Sequence, residues 1–477
     1  YTAGLTSNAS NIQSSNVSGT GTTGNVSIEG IQTLTATNNT NISASTETGL
    51  AGNVTIGASG SSATSVSLTG STIEAKAKEA GGNAGAVTIY TAGLTSNASN
   101  IQSSNISGTG TTGNVSIEEI ETLTATNGSN ISASTGTGLA GNVTIGASGS
   151  PATTVSLTDS TIEAKATGAG GNAGAVSLYT TALSAENSSI QSSNVSGNTG
   201  SGNVVLQDLT SLELTNSQLS ASTATGIAGS VLVNQNGTAL PEIRLLGSST
   251  ISVEADSDLQ PETGSGNGQA GQVVLNTNQL VLQGNSNGRA VISAATENGS
   301  SQGIRLENLN RLEIINGEIT ASTIGGNAAN LEISRNGAAL GQIYLNNGAI
   351  SVAATGSGTA GQLLINAVDI TADNQSSISA STNSGQGQDI LLRSLDTLTL
   401  TNSKIAASTV DGVAGSLLIN QNEAPVDRVS LQQGILSVEA TGSGSSGDIL
   451  LNAAQLVAQD RSAVSASTNS GTGGGSP

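Results

Sequence analysis

Between residues 24 and 52 the chain alternates apolar and polar residues in three short runs, and turn-forming residues separate these runs. Alternation with a period of two places one set of side chains on one face of a β-strand. Ser, Thr, Asn and Gly, which are typical of solvated faces and turns, occupy the other positions. The pattern predicts three strands that share one core. The inward residues are Val26, Ile28, Leu34, Ala36, Ile42 and Ala44.

A variant of this segment recurs along the whole chain. Successive units start 27–33 residues apart, with one step of 42 residues, and the fifteen units form five triplets that cover residues 1–89, 90–178, 179–278, 279–364 and 365–477. A unit this short cannot bury its apolar face alone, whereas a stack of units can. The starts are Val26, Val54, Val87, Val115, Val143, Val176, Val204, Val231, Val273, Ile304, Leu331, Leu363, Ile390, Leu417 and Ile449.

A turn residue follows 10 to 16 positions after each start. It is usually Asn, Gly or Asp, the residue types that tolerate positive φ. We therefore expect a tight structural corner at this place in nearly every unit. The corner residues are Asn38, Gly70, Asn97, Asn127, Asp159, Asn187, Asn216, Gly247, Asn285, Asn316, Asn347, Asn374, Asn402, Gln433 and Asp460.

Three strands and three bends within about thirty residues are typical of one turn of a parallel β-helix. Each strand then pairs with its equivalent in the next coil, and the handedness of parallel crossovers favours a right-handed coil. The predicted fold class is all-β: a single, continuous, right-handed parallel β-helix, or solenoid, over residues 1–477. The regular spacing of Val, Ile and Leu argues against the disorder that the Gly, Ser, Thr and Asn content would suggest.

Every third coil is longer because it carries an extra segment between its first strand and its corner. Three of the five prolines lie in these segments, where they do not interrupt the strand ladder. Since the segments recur every third coil, we expect them to form a row of candidate contact loops on one face. The segments run from Gly57 to Thr64, from Gly146 to Thr153, from Asn234 to Pro241, from Arg335 to Gln342 and from Asn420 to Asp427.

The amino-acid composition argues against several kinds of partner and site. The net charge is −20 with only 12 Lys and Arg, so binding to nucleic acid or to an anionic membrane surface is not expected. No apolar run is long enough to cross a bilayer, so membrane insertion is not expected either. Cysteine is absent, which excludes disulfides and thiolate metal sites.

One acidic segment is a candidate calcium site. Asp256, Asp258 and Glu262 lie within the 42-residue step and supply carboxylate oxygens, the ligands that Ca²⁺ prefers. The segment lacks the Gly-Gly-x-Gly-x-Asp spacing of calcium-binding β-rolls. A solvated insertion is the competing interpretation, and no other cofactor or metal is expected.

The repeats resemble those of filamentous haemagglutinin-like exoproteins of the two-partner-secretion type, especially cyanobacterial ones. The resemblance rests on the pattern that stands here as residues 52–56 (GNVTI), 378–382 (ISAST) and 398–402 (LTLTN), and it covers essentially the whole chain. It implies secretion through an outer-membrane partner and display as a β-helical filament in adhesion or aggregation. The family's amino-terminal secretion motif, Asn-Pro-Asn-Gly, is not present, so we expect a segment of the shaft from a longer or processed protein.

These observations favour a secreted or cell-surface bacterial protein that acts as a structural or adhesive shaft. Its expected partners are another copy of itself, or an extracellular polysaccharide or protein, reached through multivalent weak contacts. The alternative is a self-assembling fibre whose subunits stack end to end; electron micrographs of long filaments would favour it. A polysaccharide-active enzyme and an ice-binding protein are minor alternatives. Catalysis is not expected, because Asp and Glu are thinly spread and differ between copies.

Overall fold

The computed structural model describes residues 3–18, 20–79, 81–105, 109–196, 199–255 and 268–469. Within these ranges the regular elements are all β-strands, and no helix is present that could cross a membrane. The chain divides into two compact units at Thr238 and Ala239. The described residues up to Thr238 are called the first unit, and those from Ala239 the second unit.

The first unit contains strands β1 to β22. In chain order they are Gly4–Asn8, Asn11–Asn16, Val26–Ile28, Thr33–Thr37, Asn41–Thr46, Val54–Ile56, Ala63–Thr69, Thr72–Ala77, Val87–Asn97, Asn100–Asn105, Val115–Glu118, Thr122–Thr126, Asn130–Thr135, Val143–Ile145, Ala152–Thr158, Thr161–Ala166, Val176–Glu186, Ser189–Asn194, Val204–Gln207, Ser211–Thr215, Gln218–Thr223 and Val231–Val233.

The second unit contains strands β23 to β43. In chain order they are Leu240–Leu246, Thr250–Ala255, Ala270–Gln283, Ala290–Thr296, Ser301–Glu307, Arg311–Ile315, Gly317–Thr323, Leu331–Ile333, Leu340–Asn346, Ala349–Ala354, Leu363–Asp373, Ser377–Thr382, Ile390–Arg393, Thr397–Thr401, Lys404–Thr409, Leu417–Ile419, Arg428–Gln432, Ile435–Ala440, Ile449–Leu451, Leu456–Gln459 and Ala463–Thr468.

Each coil contributes one strand to each of three parallel sheets. One coil illustrates the order, with β6 in the first sheet, β7 in the second sheet and β8 in the third sheet. In some coils a single long strand, such as β9, runs through both the first and the second sheet. The three sheets enclose a core of aliphatic side chains from the inward positions.

Equivalent residues of successive coils pair in register. In the first unit Val54 pairs with Val26 and with Val87, and in the second unit Leu363 pairs with Leu331 and with Ile390. The pairing partners are the starts that the sequence pattern marks. The predicted all-β solenoid with parallel sheets and about 15 turns is thereby confirmed. Its handedness, and its continuity as one helix over residues 1–477, stay predictions.

In several coils a buried threonine holds the third turn, between the third and the first sheet. This threonine ends many third-sheet strands, and its hydroxyl accepts a hydrogen bond from the backbone N–H of the glycine three residues later. The N···O distance is 3.2 Å from Gly49 to Thr46 and 3.0 Å from Gly412 to Thr409. The recurring Ala-Ser-Thr sequence therefore encodes both a narrow core and a closed turn.

A glycine column follows this turn. A Cβ atom on Gly141 would overlap the carbonyl oxygen of Gly113 in the preceding coil, and a Cβ on Gly415 would overlap that of Gln388. Backbone therefore packs directly on backbone at this place in both units. Glycine is needed here for close approach rather than for an unusual φ.

Candidate functional site

Backbone conformation at the corners is left-handed at nearly all the positions that the sequence marks. Left-handed backbone is costly for residues other than Gly, Asn and Asp, which explains why these types recur. The φ angle lies between 48° and 65° at Asn38, Gly70, Asn127, Asp159, Asn187, Asn216, Gly247, Asn316, Asn347, Asn374, Asn402, Gln433 and Asp460.

Two of the predicted corners are wrong. In the coil that starts at Val87 the left-handed residue is Ala98 rather than Asn97, because Asn97 still pairs with Thr126 at the end of its strand. The Oδ1 atom of Asn97 instead accepts a hydrogen bond from the Nδ2 atom of Asn127, at 2.8 Å. Asn285 does not have positive φ; it starts a tight turn that an antiparallel bridge to Gly288 closes.

A ladder of buried serines lies directly inside the corners, and the sequence pattern did not reveal its role. The Oγ atom of Ser99 accepts a hydrogen bond from the backbone N–H of Ser71, at 3.1 Å, and Oγ of Ser129 accepts one from the N–H of Ser99, at 3.3 Å. The second unit repeats the contact from Ser376 N–H to Ser403 Oγ, at 3.2 Å. Because a buried N–H needs an acceptor, these serines stabilise the corner. A serine one or two residues after most corners was the available signal.

The candidate contact loops are short turns that leave and rejoin the strand ladder. An antiparallel bridge joins Ala58 to Ser61 in one loop and Ala147 to Ser150 in the next, and Arg335 and Ala338 form the same bridge in the second unit. The first and second of these loops lie three coils apart, about 14 Å by the spacing between paired strands. The tips are exposed.

The loops begin where predicted but end earlier. Thr64, Thr153, Pro241 and Gln342 lie inside strands β7, β15, β23 and β31, and only Asp427 lies outside its strand. Each of the four strands starts with a residue that points inward and is fully buried, which the sequence pattern had assigned to the loop. These residues are Ala63, Ala152, Leu240 and Leu340.

Two predicted contact residues have an internal role instead. Asn420 is 2% exposed, and its side-chain amide bonds to both the N–H and the carbonyl of Leu395 in the preceding coil, at 3.0 and 2.8 Å. Asn234 makes the same pair of bonds to Leu209, at 3.0 and 2.7 Å. Because these amides replace a missing backbone pairing, Asn234 and Asn420 anchor their loops rather than contact a ligand.

Glycines and carboxylates position the remaining loops against neighbouring coils. Gly57 and Gly146 have φ near +72°, and a Cβ on either would overlap the backbone carbonyl of Tyr90 or Tyr179. The N–H of Gly60 donates to Oε1 of Glu119 at 2.6 Å. The loops are therefore held in place rather than free, and they present backbone amides and small polar side chains to solvent.

Charge differs between the loops of the two units. In the first unit residues 57–62, 146–151 and 234–238 carry no charged side chain. In the second unit the exposed loop residues include Arg335 and Glu423, and Oε2 of Glu423 accepts a hydrogen bond from the N–H of Ser394 at 2.6 Å. A neutral partner therefore meets no charge barrier at the loops of the first unit.

A shallow groove of about 310 Å³ lies at three successive corners of the second unit. Gln375, Asn402, Gln433, Lys404 and Ile435 are among the residues that line it. This lining can donate and accept hydrogen bonds and offers one aliphatic surface, but it holds no pair of groups that could transfer a proton at hydrogen-bond distance.

Titratable groups are scattered over the described residues. No group of three or more Asp, Glu, His or Cys there could hold a metal ion. Asp256, Asp258 and Glu262, the candidate calcium ligands, lie outside the described residues. The pKa of Tyr90 is raised by partial burial and then by the negative charges of Glu118 and Glu119.

Comparison with protein-family models, with curated proteins and with solved structures finds no match to this chain. The likeness of its repeats to filamentous haemagglutinin-like exoproteins therefore remains a resemblance of sequence pattern.

Proposed function

We propose that this chain is an extracellular structural and adhesive shaft that acts by rigid display of repeated weak contacts. The observation that supports this proposal most directly is the recurrence of an exposed, anchored loop at the same place in every third coil. Repetition of a polar loop on a regular scaffold is typical of multivalent binding rather than of chemistry at one centre.

The mechanism is mechanical and interfacial. Backbone ladders in three sheets, closed by buried threonine and serine hydroxyls, resist local opening because each coil is paired with its neighbours. The loops then contact an extracellular polysaccharide or protein at several points. Weak contacts that are linked on one scaffold raise the overall affinity far above that of each contact.

Secretion through an outer-membrane partner and a location at the cell surface follow from the resemblance and belong to the same proposal. The net charge of −20 favours a neutral or cationic partner over an anionic polymer. The uncharged loops of the first unit favour a neutral polysaccharide.

Loop replacement tests the adhesive role. Ile145 and Thr154 of a long coil pair with Ile117 and Thr122 of a short coil, so residues 146–153 of the long coil correspond to residues 118–121 of the short one. We expect that replacing each of the five loops with this short connection abolishes adsorption of the chain to cellulose and agarose beads, whereas one replacement only weakens it. Asn127→Gly, which keeps a residue suited to positive φ at a corner, is the control. Equal adsorption by the five-loop variant would rule out the loops as the contact surface.

A further inference from the structure

A column of leucines points outward from the first sheet of the second unit. Leu364, Leu391 and Leu418 pair in register in β33, β35 and β38, and Leu450 in β41 continues the column. Each of the first three lies between two inward residues that are fully buried. The column is therefore additional to the core, since it lies on the opposite face of the same strands.

Outward leucines in consecutive coils are unusual for a sheet that faces water. Strands that are apolar on both faces are typical of sheets covered on both sides. Here Leu364, Leu391 and Leu418 remain partly exposed, Leu450 is 37% exposed, and Val413, in the turn before β38, is 51% exposed. The column is thus an apolar strip at the protein surface within the described residues.

Opposite charges flank the strip on its two sides. Leu391 and Arg393 share the outward face of β35, and Asp389, directly before this strand, is partly exposed on the other side of Leu391. One carboxylate oxygen of Asp389 accepts a hydrogen bond from the N–H of Ser416 at 2.7 Å. Arg393 is exposed and has no ion-pair partner among the described residues. A cation without an ion-pair partner and an anion are therefore placed on opposite sides of Leu391.

We propose that a second copy of this chain covers the leucine column, sheet on sheet, about a twofold axis parallel to the direction in which the coils stack. This axis places Asp389 of one copy against Arg393 of the other, at both edges of the contact. A twofold axis parallel to the strands would place Asp389 against Asp389 instead. At Asp389 and Arg393 only the first arrangement pairs opposite charges, and a surface that complements itself is what a twofold dimer requires.

The pairing has the dimensions of ordinary sheet packing. Two sheets that face each other pack about 10 Å apart, which leaves room for one interdigitated layer of leucines. The strip covers only a few coils, so the interface is small and the dimer exchanges reversibly with monomer. The proposal concerns self-association alone and does not depend on the adhesive role of the loops.

Sedimentation velocity of the full chain over a wide range of concentration tests the proposal. We expect a concentration-dependent dimer for the wild type and a monomer for the double variant Leu391→Ser, Leu418→Ser. Ile435→Ser removes an aliphatic that is 38% exposed elsewhere in the second unit, and it should dimerise as the wild type does. Circular dichroism checks that all three chains remain folded. A wild type that stays monomeric, or a folded double variant that still dimerises, overturns the proposal.

Exchanging the charges of Asp389 and Arg393 tests the direction of the twofold axis in the proposed dimer. Asp389→Arg and Arg393→Asp each place like charges against each other, so each should weaken the dimer by about tenfold or more. Combining both substitutions restores opposite charges across the same twofold axis and should restore the dimer. Single variants that dimerise like the wild type, or a combined variant that fails to recover, contradict the proposed axis. Loss of adsorption in the loop variants with an intact dimer would leave this proposal standing, so the two proposals fail separately.

Discussion

The outward column of the first sheet differs sharply between the two units although the strands that carry it are alike. Six successive coils of the first unit carry Ser or Thr in this column, whereas the last four coils of the second unit carry Leu. The inward residues of these strands are Val, Ile or Leu in both units, and nearly all are fully buried. The hydroxyl residues are Ser27, Thr55, Thr88, Ser116, Thr144 and Ser177, and the leucines are Leu364, Leu391, Leu418 and Leu450. Val205 and Leu232 end the column of the first unit, and Val274, Arg305 and Glu332 precede the leucines in the second unit.

This difference separates what the fold requires from what a surface requires. Inward aliphatics and the glycine columns are common to both units, because each coil must stack on the next. Outward residues are not constrained by the stack, so their chemistry reports what the surface meets: water along the hydroxyl residues of the first unit and, by our proposal, another apolar surface along the leucines of the second.

The largest effect on stability should come from the glycine column, which both units share. Gly141→Val in the first unit and Gly415→Val in the second place a side chain where the neighbouring carbonyl lies, so each should lower the free energy of unfolding by about 3 kcal/mol or more. Gly93→Val is the control, since its Cβ would meet neighbours only at 3.5 Å and beyond. Urea denaturation of the three variants measures the effect. Equal stability of all three would show that the coils do not need the close approach.

A second comparison contrasts the two faces of one strand. Leu392 is fully buried, and Leu392→Ala should lower the free energy of unfolding by about 2–5 kcal/mol. Leu391→Ala, one residue away but outward, should change it by less than about 0.5 kcal/mol in dilute monomer. Denaturation at low protein concentration measures both.

The first unit supplies the matched pair of variants. Ile117→Ala removes a fully buried side chain, whereas Ser116→Ala alters only the outward hydroxyl. Ile117→Ala should therefore lower the free energy of unfolding much more than Ser116→Ala does. A large loss of stability from Leu391→Ala alone would mean that the leucine column belongs to the fold and not to a contact surface.

Much of this architecture could be predicted from the sequence. Alternation with a period of two identified the inward residues, and the pairing of Val26 with Val54 and Val87 follows the repeat. Asn97 was assigned to the wrong place because an asparagine at a strand end and one at a corner have the same local sequence signature.

Two features could not be predicted from the sequence. One depends on a contact between neighbouring coils, and the other lies in apolar runs that do not show which residue points inward. The clamp formed by Asn420 needs the backbone of Leu395 in another coil, which no local pattern encodes. The leucine column was present in the sequence as apolar runs such as residues 390–392 and 417–419. Such a run does not say which residue points inward, and only the register of the paired strands shows that the outward residues align.

Transferring the column would sharpen the comparison between the units. Ser116, Thr144 and Ser177 pair in successive coils of the first unit. Replacing all three with leucine should create a second apolar strip, because each substitution exposes several additional CH₂ groups to water. Sedimentation velocity should then show species larger than the dimer. Oligomers that do not grow beyond those of the wild type would mean that leucines at these positions are not sufficient for association.

The smallest expected effect concerns the residue that follows the outward column in the first unit. Tyr90 lies beside Glu118 of the next coil, whereas Asn366 lies beside Arg393 at the equivalent place in the second unit. Partial burial, and then the charges of Glu118 and Glu119, raise the pKa of Tyr90 above its ordinary value of 10.0. Because the folded chain holds this proton more tightly than the unfolded chain, the contribution of Tyr90 to stability is complete below pH 10 and is lost as the pH rises through the folded pKa.

Glu118→Gln should move the pKa of Tyr90 back toward 10.0. The ultraviolet titration of tyrosinate, taken as the difference between each chain and its Tyr90→Phe counterpart, measures the shift. An unchanged titration in Glu118→Gln would assign the raised pKa to burial and Glu119.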